Sequence, residues 1–453
     1  MKRAWRWPIA GFVLGGVVGA TILTVNVVGA SRPSEPPATR PSFGEILHTP
    51  PLLVRSGDGV ELAYDVVCGS AKDEPGGTCD PKGSVFVRPV GSSDFGELPL
   101  VREPSGLLSA EVPLRYTAGD GFDYYAEIDN GRGLSATLPQ GAAEAPQHAW
   151  FVPRWTTVDL GTAQFGRPRS PTAVVASLSW GNGPRALGLD SGQERSRIGP
   201  SAFDIGPDGS VVVLDQVNRR LALLRRGDAP SYVPIDFTGG EGDLAVGREG
   251  TIYVLDQGRA GSIPFVRSYG PAGGPIAGTP LGEPTADMLR AGPSGPVVHA
   301  YPSEMWLPTG GQRPPLAPGA QIAGARAARS VDGGAAMVVR ASPGEARLAL
   351  VQGDRVVRSW LVRSTTNLGE VQLAEPYEGG LLVVIRVWTE KEAEFRVLRL
   401  APSGLASSFA VAPAEWAETA SLSRFRLHGS TLYQLRSAPS GVEIAAFEIG
   451  GSK

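Results

Sequence analysis

Alternation of apolar and polar residues is the clearest pattern between residues 52 and 154. Val60, Leu62 and Tyr64 alternate with charged or small residues, and residues 121–128 (GFDYYAEI) show the same period of two. This period is typical of strands with one buried face. Further short apolar runs lie between them, separated by Gly, Pro, Asp and Ser, and about 100 residues of this kind predict a β-sandwich.

The stretch 121–128 resembles a late strand of immunoglobulin-like or fibronectin-type domains of exported proteins. The resemblance implies that residues 52–154 form an immunoglobulin-like β-sandwich. The chain departs from antibody domains because it lacks their inter-sheet cysteine pair and their core tryptophan.

The second half of the chain repeats itself. Residues 201–216 read SAFDIGPDGSVVVLDQ and residues 242–257 read GDLAVGREGTIYVLDQ, which places the turn glycines Gly209 and Gly250 41 residues apart. Each unit is predicted to be a strand, a tight turn with a glycine at positive φ, and a second strand that ends in an aspartate, Asp215 or Asp256.

Four weaker copies follow these two units. Their turn glycines are predicted at Gly295, Gly334, Gly380 and Gly429, at intervals of 45, 39, 46 and 49 residues. Four-stranded blades of β-propellers repeat with such a period. We therefore predict an all-β fold in which residues 155–449 form a six-bladed β-propeller.

The first two units resemble NHL-type β-propeller repeats, in which a strand passes through Asp-Gly to a second strand that ends in Asp and is followed by Asn-Arg. Asp215 and residues 218–220 (NRR) match that pattern, whereas the second unit keeps Asp256 and then reads QGR at 257–259. We interpret the aspartates as turn caps and the arginines as ties between strands, and a ligand-binding role is the alternative.

Closure of the ring needs a strand from an earlier part of the chain, because the repeats end with an apolar run at residues 444–449. Residues 157–161 or 186–189 are expected to supply the outer strand of the sixth blade, which removes an open sheet edge. Tryptophans in the propeller are expected to pack between blades, or alternatively to form a stacking platform on one face: Trp180, Trp306, Trp360, Trp388 and Trp416.

A long apolar segment opens the chain. Residues 8–30 carry no formal charge and follow Lys2, Arg3 and Arg6. At about 1.5 Å per residue, such a helix spans a hydrocarbon core of about 30 Å with its basic end in the cytoplasm. Residues 1–30 are therefore predicted to be a transmembrane signal-anchor, with a signal peptide cleaved after Ala30 as the alternative. Both hypotheses place the rest of the chain outside the cytoplasm, in the cell envelope or secreted.

Two features accompany this segment. Gly11, Gly15 and Gly19 are four residues apart and would give one helix face on which a second helix could pack closely. Residues 31–51 contain six prolines and few large apolar residues, which favours an extended stalk.

Cys68 and Cys79 are the chain's two cysteines. In an oxidising compartment outside the cytoplasm we expect them to form a disulfide. A catalytic thiol pair is the alternative, but the spacing is not Cys-x-x-Cys.

Composition narrows the function classes. The chain has 42 Lys and Arg against 45 Asp and Glu, a net charge of −3, so it lacks the basic field that binds nucleic acid. Four histidines and two cysteines are scattered, and we expect no metal site and no cofactor. The sequence has no nucleophile-elbow, phosphate-loop or HExxH motif, so we assign no catalytic residue.

Three functional hypotheses follow. The leading one is a membrane-anchored, extracytoplasmic binding or scaffold protein whose propeller presents a surface to a protein or to a glycan of the cell envelope. The second is a lyase or lactone hydrolase that uses the central funnel, because propellers that resemble NHL repeats include such enzymes. The third is an assembly factor that binds through its sandwich. Carboxylates or histidines that line the funnel would favour the enzyme.

Overall fold

The structure, a computed structural model, describes residues 43–68, 80–117, 119–131, 135–139, 141–192, 196–238, 242–258, 263–281, 286–292, 295–300, 305–309, 334–352, 355–417 and 424–450. The chain divides into two units, Met1–Pro41 and Ser42–Lys453, and all described residues belong to the second. No helix among them has the length and hydropathy of a membrane span. The predicted anchor at residues 1–30, with Gly11, Gly15 and Gly19, lies outside the described residues.

Two facing sheets form a β-sandwich at the start of the described chain. Their strands are β1 (Phe43–His48), β2 (Leu53–Arg55), β3 (Val60–Cys68), β4 (Lys82–Pro89), β5 (Gly96–Pro99), β6 (Val101–Arg102), β7 (Leu108–Val112), β8 (Gly121–Asp129), β9 (Ser135–Leu138) and β10 (Gln147–Val152). One sheet has the order β1-β3-β7-β6, and the other has the order β2-β10-β8-β4-β5 with β9 added beside β8. Two short 3₁₀ helices, Leu114–Tyr116 and Ala142–Glu144, lie between the strands.

Alternation along the strands places one face of each sheet in a common core. Val60, Leu62 and Tyr64 of β3 are buried, and they pack in one cluster with Phe122 and Tyr124 of β8 from the opposite sheet. The period-two pattern therefore reports a buried face, as predicted.

The predicted stalk is too long at its carboxyl end. Residues 43–48 form β1, which pairs antiparallel with β3 in the first sheet. This segment contains none of the six prolines of residues 31–51, so its amide groups can join a ladder. Residues 31–42 lie outside the described residues, and so does Cys79 with the predicted Cys68–Cys79 disulfide.

Twenty-four strands follow the sandwich among the described residues. They are β11 (Thr156–Asp159), β12 (Ala173–Trp180), β13 (Ala186–Leu187), β14 (Ala202–Ile205), β15 (Val211–Asp215), β16 (Arg220–Leu224), β17 (Ser231–Pro234), β18 (Gly242–Val246), β19 (Ile252–Asp256), β20 (Phe265–Tyr269), β21 (Pro275–Pro280), β22 (Ala286–Gly292), β23 (Gly295–Ala300), β24 (Met305–Pro308), β25 (Gly334–Ser342), β26 (Glu345–Gln352), β27 (Arg355–Arg363), β28 (Asn367–Tyr377), β29 (Gly380–Trp388), β30 (Ala393–Ala401), β31 (Gly404–Val411), β32 (Phe425–His428), β33 (Thr431–Ala438) and β34 (Gly441–Glu448).

These strands form six sheets that are the blades of a β-propeller, which confirms the predicted all-β class and the propeller. In chain order the blades are β14–β17, β18–β21, β22–β24, β25–β27 with β11, β28–β31, and β32–β34 with β12 and β13. The inner strands β14, β18 and β22 contact one another in turn, as do β25, β28 and β32, and β32 meets β14. The apolar side chains fill the wedges between neighbouring blades.

Ring closure differs from the prediction. β12 pairs antiparallel with β34 as the outer strand of the sixth blade, and β13 adds to β12 as a short parallel strand. β11 instead runs parallel to β27 and is the outer strand of the fourth blade. The predicted segment 186–189 therefore contributes β13 to the edge of the sixth blade, but β12, and neither predicted segment, pairs with β34.

The two ends of the propeller are distinct. We call the end at which β14, β18, β28 and β32 begin the upper face, and the opposite end the lower face. The fourth blade has the reverse polarity, because Leu368 at the start of β28 donates its N–H to Pro343 O (2.5 Å) in the turn that ends β25. The turn between β26 and β27 therefore lies on the lower face.

Four of the six predicted repeat glycines lie at the turn that follows the inner strand of their blade. Gly209, Gly250 and Gly429 have φ of +78°, +79° and +60°, and Gly295 with φ +126° begins β23. An added Cβ would meet nothing within 4 Å at Gly209 or Gly429, but it would lie 3.2 Å from Pro271 Cγ at Gly250. In the fifth blade the positive φ belongs to Gly379 (+73°) rather than to Gly380.

Two glycine assignments are therefore corrected. Gly380 is the first residue of β29, where an added Cβ would lie 1.8 Å from Leu400 O, so it is needed for close strand approach. Gly334 begins β25 and pairs with Gln352, while the inner turn of this blade lies at Pro343 and Gly344. Apolar runs around Gly334 and Gly344 look alike in sequence, and only strand pairing distinguishes them.

Candidate functional site: the propeller axis and the upper face

Five charged side chains converge on the axis of the propeller from the inner strands of five different blades. They are Asp204, Asp243, Arg290, Glu375 and Arg426, and all five are buried. Arg426 Nε lies 3.4 Å from Asp204 Oδ1, and Arg426 Nη2 lies 3.5 Å from Asp243 Oδ1. The cluster therefore couples the sixth blade to the first and second.

The aspartates accept hydrogen bonds from the open inner edges of the blades. Asp204 accepts the N–H of Ile205 (2.8 Å) and, across the blade boundary, the N–H of Val246 (2.8 Å). An innermost strand has no neighbour on its axial side, so its amides need acceptors from side chains.

Asp243 repeats this arrangement one blade further on. It accepts the N–H of Leu244 (2.9 Å) and the N–H of Leu289 in the third blade (2.9 Å). Each aspartate thus binds its own strand and the next one with two oxygen atoms.

The arginines serve the carbonyl groups of the same edges. Arg426 Nη2 donates to Leu244 O (3.1 Å) and Nη1 to Phe425 O (3.3 Å), while Arg290 Nη1 donates to Leu289 O (3.4 Å). Burial and, secondarily, the nearby charge of Arg426 lower the pKa of Arg290 to about 10. The carboxylates of the axis therefore accept hydrogen bonds from backbone N–H groups, and its guanidinium groups donate hydrogen bonds to backbone carbonyl oxygens.

The axial cluster joins blades, and the carboxylate oxygens of Asp204 and Asp243 already accept hydrogen bonds from backbone N–H groups. A metal ion of the calcium type needs several oxygen ligands around one point. Within the described ranges, no group of three or more His, Cys, Asp or Glu side chains is placed to hold a metal ion.

Sequence reasoning missed the axial cluster for a definable reason. Under the 41-residue shift, Asp204 corresponds to Ala245 and Asp243 corresponds to Ala202. The two aspartates occupy different positions of the repeat, so a comparison of the two units does not reveal a shared acidic residue. The available signal was a single aspartate within each of the short apolar strands AFDI and GDLAV. A carboxylate that is buried in a strand needs a hydrogen-bonding or charged partner.

The repeat aspartates cap turns on the upper face. Asp215 is fully buried and accepts the N–H of Gly188 (2.9 Å), the side-chain amide of Asn218 (2.8 Å) and Arg220 Nε (2.8 Å). Arg220 also donates to Ala186 O (2.8 Å). This network fastens the first blade to the segment that follows the outer strand of the sixth.

Asp256 has a similar place in the second blade. It accepts the N–H (2.9 Å) and hydroxyl (2.8 Å) of Thr238 and the N–H of Gly258 (3.0 Å), while Arg267 Nη2 lies 4.0 Å away. Each of these atoms belongs to the turns that border the blade.

Tryptophans divide between packing and the upper face. Trp360 is buried and donates its Nε1–H to Ala401 O (2.8 Å) in the next blade. Trp180 and Trp416 meet on the upper face with centroids 6.0 Å apart and planes inclined by 36°. The Arg197 guanidinium covers Trp416 at 4.6 Å.

Trp388, the last residue of β29, also lies on the upper face and is 39% exposed. Arg386 and Arg424 both pair with Glu415, and Arg386 Nη2 lies 3.4 Å from the carboxylate. The upper face of the fifth and sixth blades therefore combines indole rings with guanidinium groups. The side chain of Trp306 lies outside the described residues.

The chain matches no protein-family model, and no curated protein sequence matches it. Among solved structures, it is similar to the PQQ-bound aldose sugar dehydrogenase of Streptomyces coelicolor, with 12% identity over 62% of this chain and 99% of that chain and a TM-score of 0.34. It is also similar to virginiamycin B lyase of Staphylococcus aureus, with 8% identity over 55% and 94% and a TM-score of 0.36. A Bacteroides thetaiotaomicron protein of unknown function has 10% identity over 91% and 99% with a TM-score of 0.30.

Proposed function

We propose that this protein is a binding or scaffold protein of the cell envelope, anchored by residues 1–30, that presents the upper face of its propeller to a protein or a glycan. The observation that supports this proposal most is that the carboxylates at the propeller axis are engaged in hydrogen bonds between blades. Asp204 and Asp243 use their oxygens to join blades, whereas exposed aromatic and cationic groups lie on the upper face. Trp and Arg are the residue types enriched at the centres of protein interfaces.

The sandwich is fixed to the propeller at the lower face of the fourth blade. Leu52, Leu53, Trp150 and Val152 of the sandwich pack with Ala349 and Val351 of β26 and with Val356 of β27. Arg355 Nε also lies 3.1 Å from Asp120 Oδ2 across the same joint. Because this joint uses the lower face, the upper face is left to meet a partner.

Strand order supports a finer assignment of the sandwich as immunoglobulin-like. Immunoglobulin domains combine one sheet of strands ABED with a second of strands GFC. The sheets β1-β3-β7-β6 and β10-β8-β4 have these orders when the strands are named along the chain. The β15–β16 turn, where Asp215 accepts from Asn218 and Arg220, likewise supports an NHL-type first blade.

The alternative is a lyase or lactone hydrolase of the cell envelope. It is favoured by the three axial carboxylates, Asp204, Asp243 and Glu375, because the active site of such an enzyme would lie in the central funnel. Their engagement with amides and guanidinium groups favours the binding role, because a general base must reach the proton that it abstracts.

Site-specific photo-crosslinking in native membranes tests the proposal with the full chain. A photoreactive phenylalanine analogue replaces Trp388 on the upper face, Leu114 on the sandwich (70% exposed), or Ile276 on the outer strand of the second blade (63% exposed). We expect one defined adduct from position 388 and none from the other two. An adduct from position 114 alone would move binding to the sandwich. Lactonase or lyase activity of the wild-type chain that is lost in Asp243→Asn, with the thermal unfolding of that variant unchanged, would establish the alternative.

A further inference from the structure

A cleft of about 480 Å³ opens between the fourth and fifth blades. Its outer wall is residues 160–169, the strap, which connects β11 of the fourth blade to β12 of the sixth and crosses the fifth on the way. Its inner wall is the sheet of the fifth blade, mainly β30 and β31. The volume is within the range of about 300–1,000 Å³ that small-molecule sites occupy.

Hydrogen bonds at both ends hold the strap in place. Thr162 Oγ1 lies 2.8 Å from Thr365 Oγ1, and the N–H of Ala163 donates to Thr366 Oγ1 (2.8 Å). Arg396 Nη2 donates to Gln164 O (2.8 Å). At the far end, the N–H of Arg169 donates to Ala410 O (2.8 Å). The cleft is therefore preformed, so a ligand would not bear the entropy of ordering it.

The floor of the cleft is apolar. The side chains that form it come from both walls: Leu160, Ala163, Val387, Leu398, Leu405 and Phe409. Val387 and Leu398 are buried, while Leu405 is 39% exposed at the mouth. This surface suits a flat or short hydrocarbon body.

The rim is cationic. Arg167, Arg169 and Arg396 line the cleft, against a single carboxylate, Asp159. Arg396 pairs with Glu394 (2.5 Å), and Asp159 accepts the N–H of Gly161 (2.8 Å). Among the described residues, Arg167 and Arg169 form no ion pair, and the Arg169 guanidinium lies 4.8 Å above the ring of Phe409.

We propose that this cleft binds a small organic anion, with its acid group between Arg167 and Arg169 and its apolar body on Leu405 and Phe409, the accessible apolar side chains of the lining. Guanidinium groups are suited to bidentate recognition of carboxylate, phosphate or sulfonate oxygens. No tryptophan of the described ranges lines the cleft, so failure of this proposal would leave the proposed partner surface untouched. Carboxylate and sulfonate ligands share this chemistry.

Isothermal titration of the full chain in lipid nanodiscs tests the site, with empty nanodiscs as the blank. The probe is naphthalene-1-sulfonate, and the test variants are Arg167→Glu with Arg169→Glu, and Ser408→Trp, which fills the cleft. Arg226→Glu is the matched control, because Arg226 is an exposed arginine in a turn of the first blade. Thermal unfolding of each variant checks that the fold is intact.

We expect saturable one-site binding that weakens by roughly tenfold or more in the double glutamate variant, is lost in Ser408→Trp and is unchanged in Arg226→Glu. Laurate should compete, whereas inorganic phosphate and dodecyltrimethylammonium should not, since one lacks the apolar body and the other has the wrong charge. No binding to the wild-type chain, or equal binding to all variants, would overturn the proposal. Equal competition by the cationic detergent would show that apolar contact alone is responsible.

Discussion

Arg426 of the sixth blade lies 3.5 Å from Asp243 of the second, although the first blade separates them in the ring. The same guanidinium donates to Leu244 O, the carbonyl next to Asp243. Because the inner strands of a propeller leave their axial edges open, a long side chain that crosses the axis can serve several edges at once. The propeller is held together at its centre by charge and at its wedges by apolar packing.

Replacing Asp243 with alanine tests this role. The change removes the acceptor for the N–H groups of Leu244 and Leu289 and leaves Arg426 with one fewer counter-charge. Breaking a buried charge pair in this way costs about 3–5 kcal/mol. Urea unfolding followed by tryptophan fluorescence should show a loss of this size, whereas Asp228→Ala, at an exposed turn, should change stability by less than about 0.5 kcal/mol. Similar losses in both variants would contradict an axial role.

The blade repeat could be predicted from sequence because its signal is local. Gly209 and Gly250 mark turns a few residues from strands that they connect, and both lie where the pattern puts them with φ near +80°. Glycine at positive φ and apolar runs on either side are visible without knowledge of the fold.

Pairings between strands that are far apart in the chain leave no such local pattern in the sequence. β12 meets β34 with Ser179 opposite Gly441, a pairing that no local pattern specifies. The three consecutive strands of the fourth blade are also not visible locally: an odd number of strands carries the chain from the lower face, where β25 begins, to the upper face, where β28 begins. The indole contact of Trp180 with Trp416 depends on that closure.

The glycines of the fifth blade provide a second prediction. Gly379→Ala forces a positive φ of +73° on a residue with open space around it and should cost about 1–2 kcal/mol. Gly380→Ala places a Cβ 1.8 Å from Leu400 O and should cost roughly 3 kcal/mol or more. Gly429→Ala, another open turn, should match Gly379→Ala in urea unfolding. If Gly380→Ala were the milder change, the close approach of β29 to β30 would be wrong.

Hydrogen exchange can separate the two repeat aspartates. Asp215→Ala removes the acceptor of the Gly188 N–H and the ion partner of Arg220, so exchange at Gly188 should accelerate and stability should fall by about 3–5 kcal/mol. Asp256→Ala removes acceptors from Thr238 and Gly258 and should cost less, about 1–3 kcal/mol. Each variant is the control for the other, because its effect on exchange should remain in its own blade. Acceleration at Gly188 in both variants would show that the turns are coupled.

Stability should depend on pH through His48 in the sandwich. The ring stacks on Tyr64 with centroids 4.3 Å apart, and its Nε2 lies 2.7 Å from Tyr124 Oη. Burial lowers the pKa of His48 from 6.5 to about 4, partly offset by the backbone carbonyl of Ala63. The folded protein therefore binds fewer protons than the unfolded chain between these two values.

It follows that the contribution of neutral His48 is fully present above about pH 6.5 and is lost as the pH falls toward 4. The lowered pKa corresponds to a total loss of about 3 kcal/mol, since one pKa unit is about 1.4 kcal/mol. Urea unfolding of the wild-type chain at pH 7, 6, 5 and 4 should show this decline in the transition of the sandwich. His48→Gln should remove that part of the slope, because glutamine does not titrate, while His428→Gln in the sixth blade should leave it unchanged. A slope that persists in His48→Gln would assign the pH dependence to other groups.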